Sequence, residues 1–115
     1  MRSKIGDKER LQHIRDICFD IENAIVGYDE EKFLNDFLVR TAVCSCVVWI
    51  GEASTHLTDE IKNSKPDIEW IKIKGMRNLI THEYFGIDYK TLFKAVADNI
   101  PPLKKAVIDL LKDFE

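Results

Sequence analysis

The residues best suited to chemistry lie in one stretch, Met76-Arg77-Asn78-Leu79-Ile80-Thr81-His82-Glu83-Tyr84. An imidazole such as that of His82 can take and return a proton near neutral pH. A guanidinium such as that of Arg77 can hold a phosphate in a two-pronged grip and stabilise the charge that builds on it. Together they suit RNA cleavage, because RNA carries its own nucleophile in the 2′-hydroxyl. The products would be a 2′,3′-cyclic phosphate and a 5′-hydroxyl. Such cleavage wants both a base and an acid, and a second copy across a two-fold axis would supply the second histidine. The alternatives are plain ones: a surface arginine, and a histidine that complements a helix C-terminus.

The stretch must be helical to present these groups. Ile73, Met76, Leu79 and Ile80 recur at helical spacing and cluster on one side. Lys74, Arg77, Asn78, Thr81 and His82 fill the opposite sector, with Arg77 and His82 about 140° apart around the axis. They can turn toward one cleft without stacking on each other. Gly86 places the helix end there or just before.

The rest of the chain supplies the scaffold. The spacing predicts a first helix after an Asp7 cap, with Leu11, Ile14, Ile17, Cys18, Ile21, Ala24 and Ile25 as its stripe and Gly27 as its stop. His13 lies beside that stripe as a surface or boundary residue. Asp29-Glu30-Glu31 opens a second helix, with a bend near Asn35-Asp36. A long helix then runs to about Leu57. Between Ala42 and Ile50 it is apolar almost all round, which predicts burial on several sides, one of them against another copy. Gly51 costs about 1 kcal/mol of helix propensity relative to Ala, so a backbone or a large side chain is expected close against it. Glu52 is either a solvent-facing residue or the partner of a cation such as Arg77.

Thr58 is expected to cap a short helix, Asn63-Ser64-Lys65-Pro66 to turn, and Asp67 to cap the helix that enters the motif, with Gly75 marking a kink or a close contact. Trp49 and Trp70 are expected as core or interface anchors rather than stacking platforms. Asp88 caps a further helix with Leu92, Phe93 and Val96 inside, and Pro101-Pro102 breaks the chain or opens the last helix. No segment alternates like a strand. The chain, 1–115, is expected to be one domain, an all-α up-and-down helical bundle.

Three matched stretches resemble the HepT-like toxins of the HEPN superfamily. Arg77-x4-His82-x-Tyr84, with Asn78 directly after the arginine, is similar to that family's signature. Ile50-Gly51-Glu52-Ala53 resembles the Gly-Glu step of its central helix, and Pro66-Asp67-Ile68-Glu69-Trp70 followed by Gly75-Met76-Arg77-Asn78 resembles its lead into the motif. The likeness continues through Asp88-Tyr89 to the terminal helix. It implies a HEPN-like two-fold dimer with the motif lining the shared cleft. It also implies a metal-independent endoribonuclease in which His82 is general acid/base, Arg77 binds phosphate, and Asn78 and Glu52 support them. Tyr84 becomes the acceptor of AMP from an MntA-like nucleotidyltransferase antitoxin, in a toxin–antitoxin pair. The expected partners are RNA, that antitoxin, and a second copy of the chain, alone or in a larger assembly with the antitoxin. Neither DNA nor a membrane is expected. A competing reading is a non-catalytic dimeric helical module that holds and regulates the nucleotidyltransferase.

Bulk properties fit this frame. Apolar residues make up 45% of 115, enough for a real core, and a net charge of −3 does not announce a nucleic-acid binder. The charge is uneven: residues 16–36 hold Lys32 alone against seven acids, whereas 62–77 hold Lys62, Lys65, Lys72, Lys74 and Arg77 against Asp67 and Glu69. That basic stretch is either a phosphate-facing surface or a solvated face. No His-x3-His or paired acid cluster predicts a metal, and no phosphate loop predicts a bound nucleotide cofactor; no cofactor is expected. The cysteines are expected as small buried apolar residues. The first residues lack an apolar signal segment, and the run from Ala42 to Ile50 is far short of the ~20 residues that span a bilayer. A soluble, cytoplasmic protein is expected.

Overall fold

Each helix follows from an apolar stripe and a polar cap. In the computed structural model, which describes residues 2–115, the order is α1 (Arg2–Ala24), α2 (Glu30–Leu34), α3 (Phe37–Thr55), α4 (Asp59–Asn63), α5 (Trp70–His82) and α6 (Tyr89–Leu111). Single 3₁₀ turns follow α5 at Tyr84–Gly86 and α6 at Lys112–Phe114. The fold is all-α, with no strand among the described residues.

Of the expected caps, those at Thr58 and Asp88 form, and Asp29 and Asp36, read as a helix-opening acid and part of a bend, cap as well. Asp29 accepts from Lys32 N–H, Asp36 from Val39 N–H, Thr58 from Ile61 N–H, and Asp88 from Lys90 and Thr91 N–H. Each satisfies an amide that the first helical turn leaves free. Gly27 takes φ 77°, the left-handed region that an L side chain resists, and the chain turns there after α1. Leu11, Ile14, Cys18 and Ile21 of α1 are fully buried, as are Phe33 of α2 and Val107 of α6. They join Val43, Val47 and Ile50 of α3 and Leu92, Val96, Ile100, Leu103 and Leu110 of α6 in one cluster. At about 25 cal/mol per Å² of apolar surface, this burial is the main force holding the bundle.

Four expectations change. α1 extends N-terminal to Asp7, so Asp7 does not cap it. Its carboxylate is 2% exposed and accepts from Thr58 N–H at 3.0 Å and Thr58 Oγ1–H at 2.7 Å. This tie puts the start of α1 beside the end of α3. Asp67 does not cap α5 either. It sits third in a β-turn, Lys65-Pro66-Asp67-Ile68, closed by Ile68 N–H on the Lys65 carbonyl at 3.1 Å. The indole N–H of Trp70 bonds the carbonyls of Lys62 and Lys65 at 3.1 and 3.3 Å, which pins that turn and starts α5 at Trp70. Gly75 makes no close contact; it lies on an exposed face with nothing within 4 Å of a Cβ there.

The fourth change is at Pro101-Pro102, which lie inside one continuous α6. Their missing amides free the carbonyls of Ala97 and Asp98, and all four residues face solvent, so water can take the lost bonds. Ile100 and Leu103 stay buried on the other side and hold the helix through the gap.

α3 lies between α1 and α5, while α6 packs on α1 and α2. By length and composition alone α3 could cross a membrane. Here it is the central core helix, with Val43, Val47, Ile50, Gly51 and Ser54 forming one buried stripe. Over Ala42 to Ile50 it is covered on two sides, by α1 and α5, and within that run Ala42 and Trp49 are left exposed in a single chain.

Candidate functional site

α5 reaches α3 through a gap left by a missing side chain. A Cβ at Gly51 would lie 2.8 Å from Arg77 Cγ and closer still to Arg77 Cβ. The stem of Arg77 therefore rests on the α3 backbone, which is the close approach expected at Gly51. From there the guanidinium runs along α3. Nη2 forms an ion pair with Glu52 Oε1, and Nη1 donates to Asn78 Oδ1 at 2.7 Å. Of the two readings of Glu52, the ion-paired one holds.

The pair is partly open to solvent, with 27% of the Arg77 side chain and 44% of the Glu52 side chain exposed. An ion pair this exposed contributes at most about 1 kcal/mol to stability. Its consequence is orientation, since two partners on different nitrogens fix a planar group. Five N–H donors belong to a guanidinium. Two are used by Glu52 and Asn78, and Nε has no partner.

His82 is the last residue of α5, about 7.5 Å of helix rise beyond Arg77. It is exposed, and among the described residues it makes no hydrogen bond or ion pair. Tyr84 follows in the 3₁₀ turn, 58% exposed, its ring 4.3 Å from that of Phe85, which is 91% exposed. The structure thus brings Arg77, Asn78 and Glu52 together. It leaves His82 and Tyr84 on open surface at the end of the same helix, with no hydrogen bond or cation–π pair to the guanidinium among the described residues. Phe85 is an exposed aromatic that the sequence reading passed over; its place directly after the motif tyrosine was the available signal.

The basic stretch divides. Lys65 pairs with Asp109 at 3.6 Å and Lys72 with Glu69 at 2.9 Å, while Lys74 is exposed without an ion pair among the described residues. Cys18 is no nucleophile at neutral pH, because burial first, then the Glu22 carboxylate, pushes its thiol up to about 12. Burial raises the Cys44 and Cys46 thiols as well. Among the described residues no three His, Cys, Asp or Glu side chains gather as a metal site.

Comparison with known proteins gives the family of this all-α bundle. The family model described as "Ribonuclease HepT-like" matches residues 14–110. The chain is 34% identical over 105 residues to "Putative RNase MJ1380" of Methanocaldococcus jannaschii, covering 91% of this chain and 96% of that protein. It is 37% identical over 90 residues to "Probable ribonuclease HepT" of Thermococcus cleftensis, covering 78% and 72%. It is 31% identical over 102 residues to "Putative RNase TTE0752" of Caldanaerobacter subterraneus subsp. tengcongensis, covering 89% and 91%. No solved structure matches. The chain belongs to the HepT-like ribonuclease family of the HEPN superfamily.

Proposed function

We propose that this protein is the toxin of a toxin–antitoxin pair, a metal-independent endoribonuclease acting in the cytoplasm as a homodimer. The observation that carries this reading is the clamped guanidinium of Arg77, fixed by Glu52 and Asn78 on the helix that ends in His82. His82 takes the proton of a ribose 2′-hydroxyl. The oxygen attacks the adjacent phosphorus, the bond to the 5′-oxygen breaks, and that oxygen leaves with a proton returned by a histidine. A 2′,3′-cyclic phosphate and a 5′-hydroxyl result, with no external reactant. Arg77 holds the phosphate through its remaining donors and stabilises the charge of the transition state. The exposed Phe37, Leu38 and Phe85 supply apolar surface for a second copy, which brings the second histidine to the cleft.

Tyr84 is the acceptor for AMP delivered by an MntA-like nucleotidyltransferase antitoxin. Its exposure supports this role, since a hydroxyl must be reachable to be modified. The added phosphate and bulk compete with RNA for the same cations.

One observation favours the non-catalytic reading, a dimeric module that holds the nucleotidyltransferase: two donors of Arg77 are already spent inside the chain. Incubating purified protein with RNA in EDTA, beside a folded His82→Ala control, separates the two readings. Cleavage that depends on His82 supports the enzyme; no cleavage supports the module. Intact mass after co-expression with the nucleotidyltransferase tests the regulatory half. Whole AMP units mapping to Tyr84 support it, and an unmodified Tyr84 removes it.

A further inference from the structure

A groove of about 510 Å³ opens between α1 and α3, on the other flank of Glu52 from α5. Its walls carry Arg10 and His13 from α1 and Trp49, Glu52 and His56 from α3. On α3 these occupy positions i, i+3 and i+7, one helical face. Glu52, whose carboxylate holds Arg77, is shared between the groove lining and the clamp.

Two of its features are unused by the fold. Trp49 is 57% exposed with no hydrogen bond to its indole N–H among the described residues, whereas the half-buried Trp70 bonds two carbonyls. Arg10 pairs with no carboxylate among the described residues. Its guanidinium folds back over Gly6, where a Cβ would lie 2.5 Å from Nη1. Arg10 thus lies over Gly6 with its guanidinium, as Arg77 lies over Gly51 with its stem. Glu9 also lines the groove, and the charge of Glu52 is answered by Arg77, which leaves Arg10 as the cation of the groove beside one further acid.

We propose that this groove is a subsite for single-stranded RNA beside the cleaved linkage, in which a base stacks on Trp49 and the neighbouring phosphate is held by Arg10. The inference rests on the ribonuclease reading above. An exposed indole beside a guanidinium that no carboxylate holds is a composition that binds single strands, and stacking tolerates any base. The scaffold supports the geometry, because Trp49 and Arg10 sit on two long helices rather than on loops.

The test uses the full-length protein and a fluorescent 2′-O-methyl RNA hexamer, which lacks a free 2′-hydroxyl and cannot be cut. Anisotropy gives affinity, and light scattering gives assembly mass. Trp49→Ala is expected to weaken binding about tenfold or more, with Trp49→Phe within about threefold of wild type. Arg10→Ala is expected to weaken binding and reduce the log–log salt slope by about 1. Assembly mass is expected to stay at the wild-type value throughout. The proposal is overturned if the wild-type protein ignores the hexamer or Trp49→Ala binds like wild type. It is equally overturned if Trp49→Ala and Trp49→Phe both lose binding together with assembly mass, which would make Trp49 an anchor between copies. A protein that binds the hexamer through Trp49 yet never cuts all-ribose RNA would remove the ribonuclease reading and leave the subsite standing as RNA binding. One that cuts RNA but binds the hexamer equally well without Trp49 would remove the subsite alone.

Discussion

Gly51 of α3 and the stem of Arg77 of α5 occupy one space: a methyl group on the glycine would sit 2.8 Å from Arg77 Cγ. The site begins from this packing relationship. It brings two helices close enough for an arginine to lie along a neighbour and find Glu52 one residue further on.

Gly51→Ala sets two effects against each other. Alanine gains about 1 kcal/mol of helix propensity. The clash is with Arg77 Cβ and Cγ, close to the α5 backbone, so it cannot be relieved by moving a flexible tip. Overpacking of this kind costs about 1–3 kcal/mol. The clash should win: a lower denaturant midpoint and a fall in RNA cleavage are expected, and a variant more stable than wild type would contradict the packing described.

Glu52→Ala should separate stability from activity. The ion pair is partly exposed, so equilibrium unfolding should change by less than about 1 kcal/mol. The guanidinium loses one of two partners, and misorientation should lower cleavage about tenfold or more. Glu52→Gln, which keeps an acceptor oxygen, should fall between. Unchanged cleavage in Glu52→Ala would deny Glu52 its orienting role.

Asp7→Ala should destabilise by about 1–3 kcal/mol, because the Thr58 amide and hydroxyl lose their buried acceptor. Urea unfolding measures this directly. An alanine variant as stable as wild type would show that the tie between α1 and the start of α4 adds nothing.

Tyr28 and Asp36 predict a pH dependence. The Tyr28 hydroxyl donates to Asp36 Oδ2 at 2.6 Å, and this bond, followed by the Val39 amide, holds the Asp36 carboxyl below its ordinary 3.8. A carboxyl depressed on folding stabilises the fold above its unfolded value, and that stability is lost as pH falls toward the folded one. Tyr28→Phe should therefore be less stable than wild type at pH 7, with the gap closing as pH drops below about 4. Thermal unfolding across pH 3–7 checks it, and a gap that widens in acid would reverse the assignment.

Much of this was legible because it is local. Thr58 and Asp88 each cap the helix that directly follows, and a glycine inside an apolar helix flags a close neighbour. What stayed hidden is tertiary. Asp7 looks like a cap until Thr58, 51 positions away, is brought to it by packing. Pro101-Pro102 looks like a break because only the fold reveals that the freed carbonyls face water while Ile100 and Leu103 remain inside. Trp49 sits in an apolar run, yet α1 leaves it beside a groove rather than covering it. The motif gave Arg77 and His82 together; the structure clamps the first and leaves the second exposed.

The central claim is that His82 moves the proton of a ribose 2′-hydroxyl toward a phosphate held by Arg77. The direct measurement compares wild type and His82→Ala, in EDTA, on an all-ribose oligonucleotide and on the same sequence with 2′-deoxyribose at the cleaved position. The account predicts that wild type cuts only the all-ribose strand and leaves a 2′,3′-cyclic phosphate. It also predicts that folded His82→Ala is slower by about 10²–10⁴. A folded His82→Ala protein that cuts at the wild-type rate, or wild type that cuts the deoxy-substituted position equally well, would contradict it.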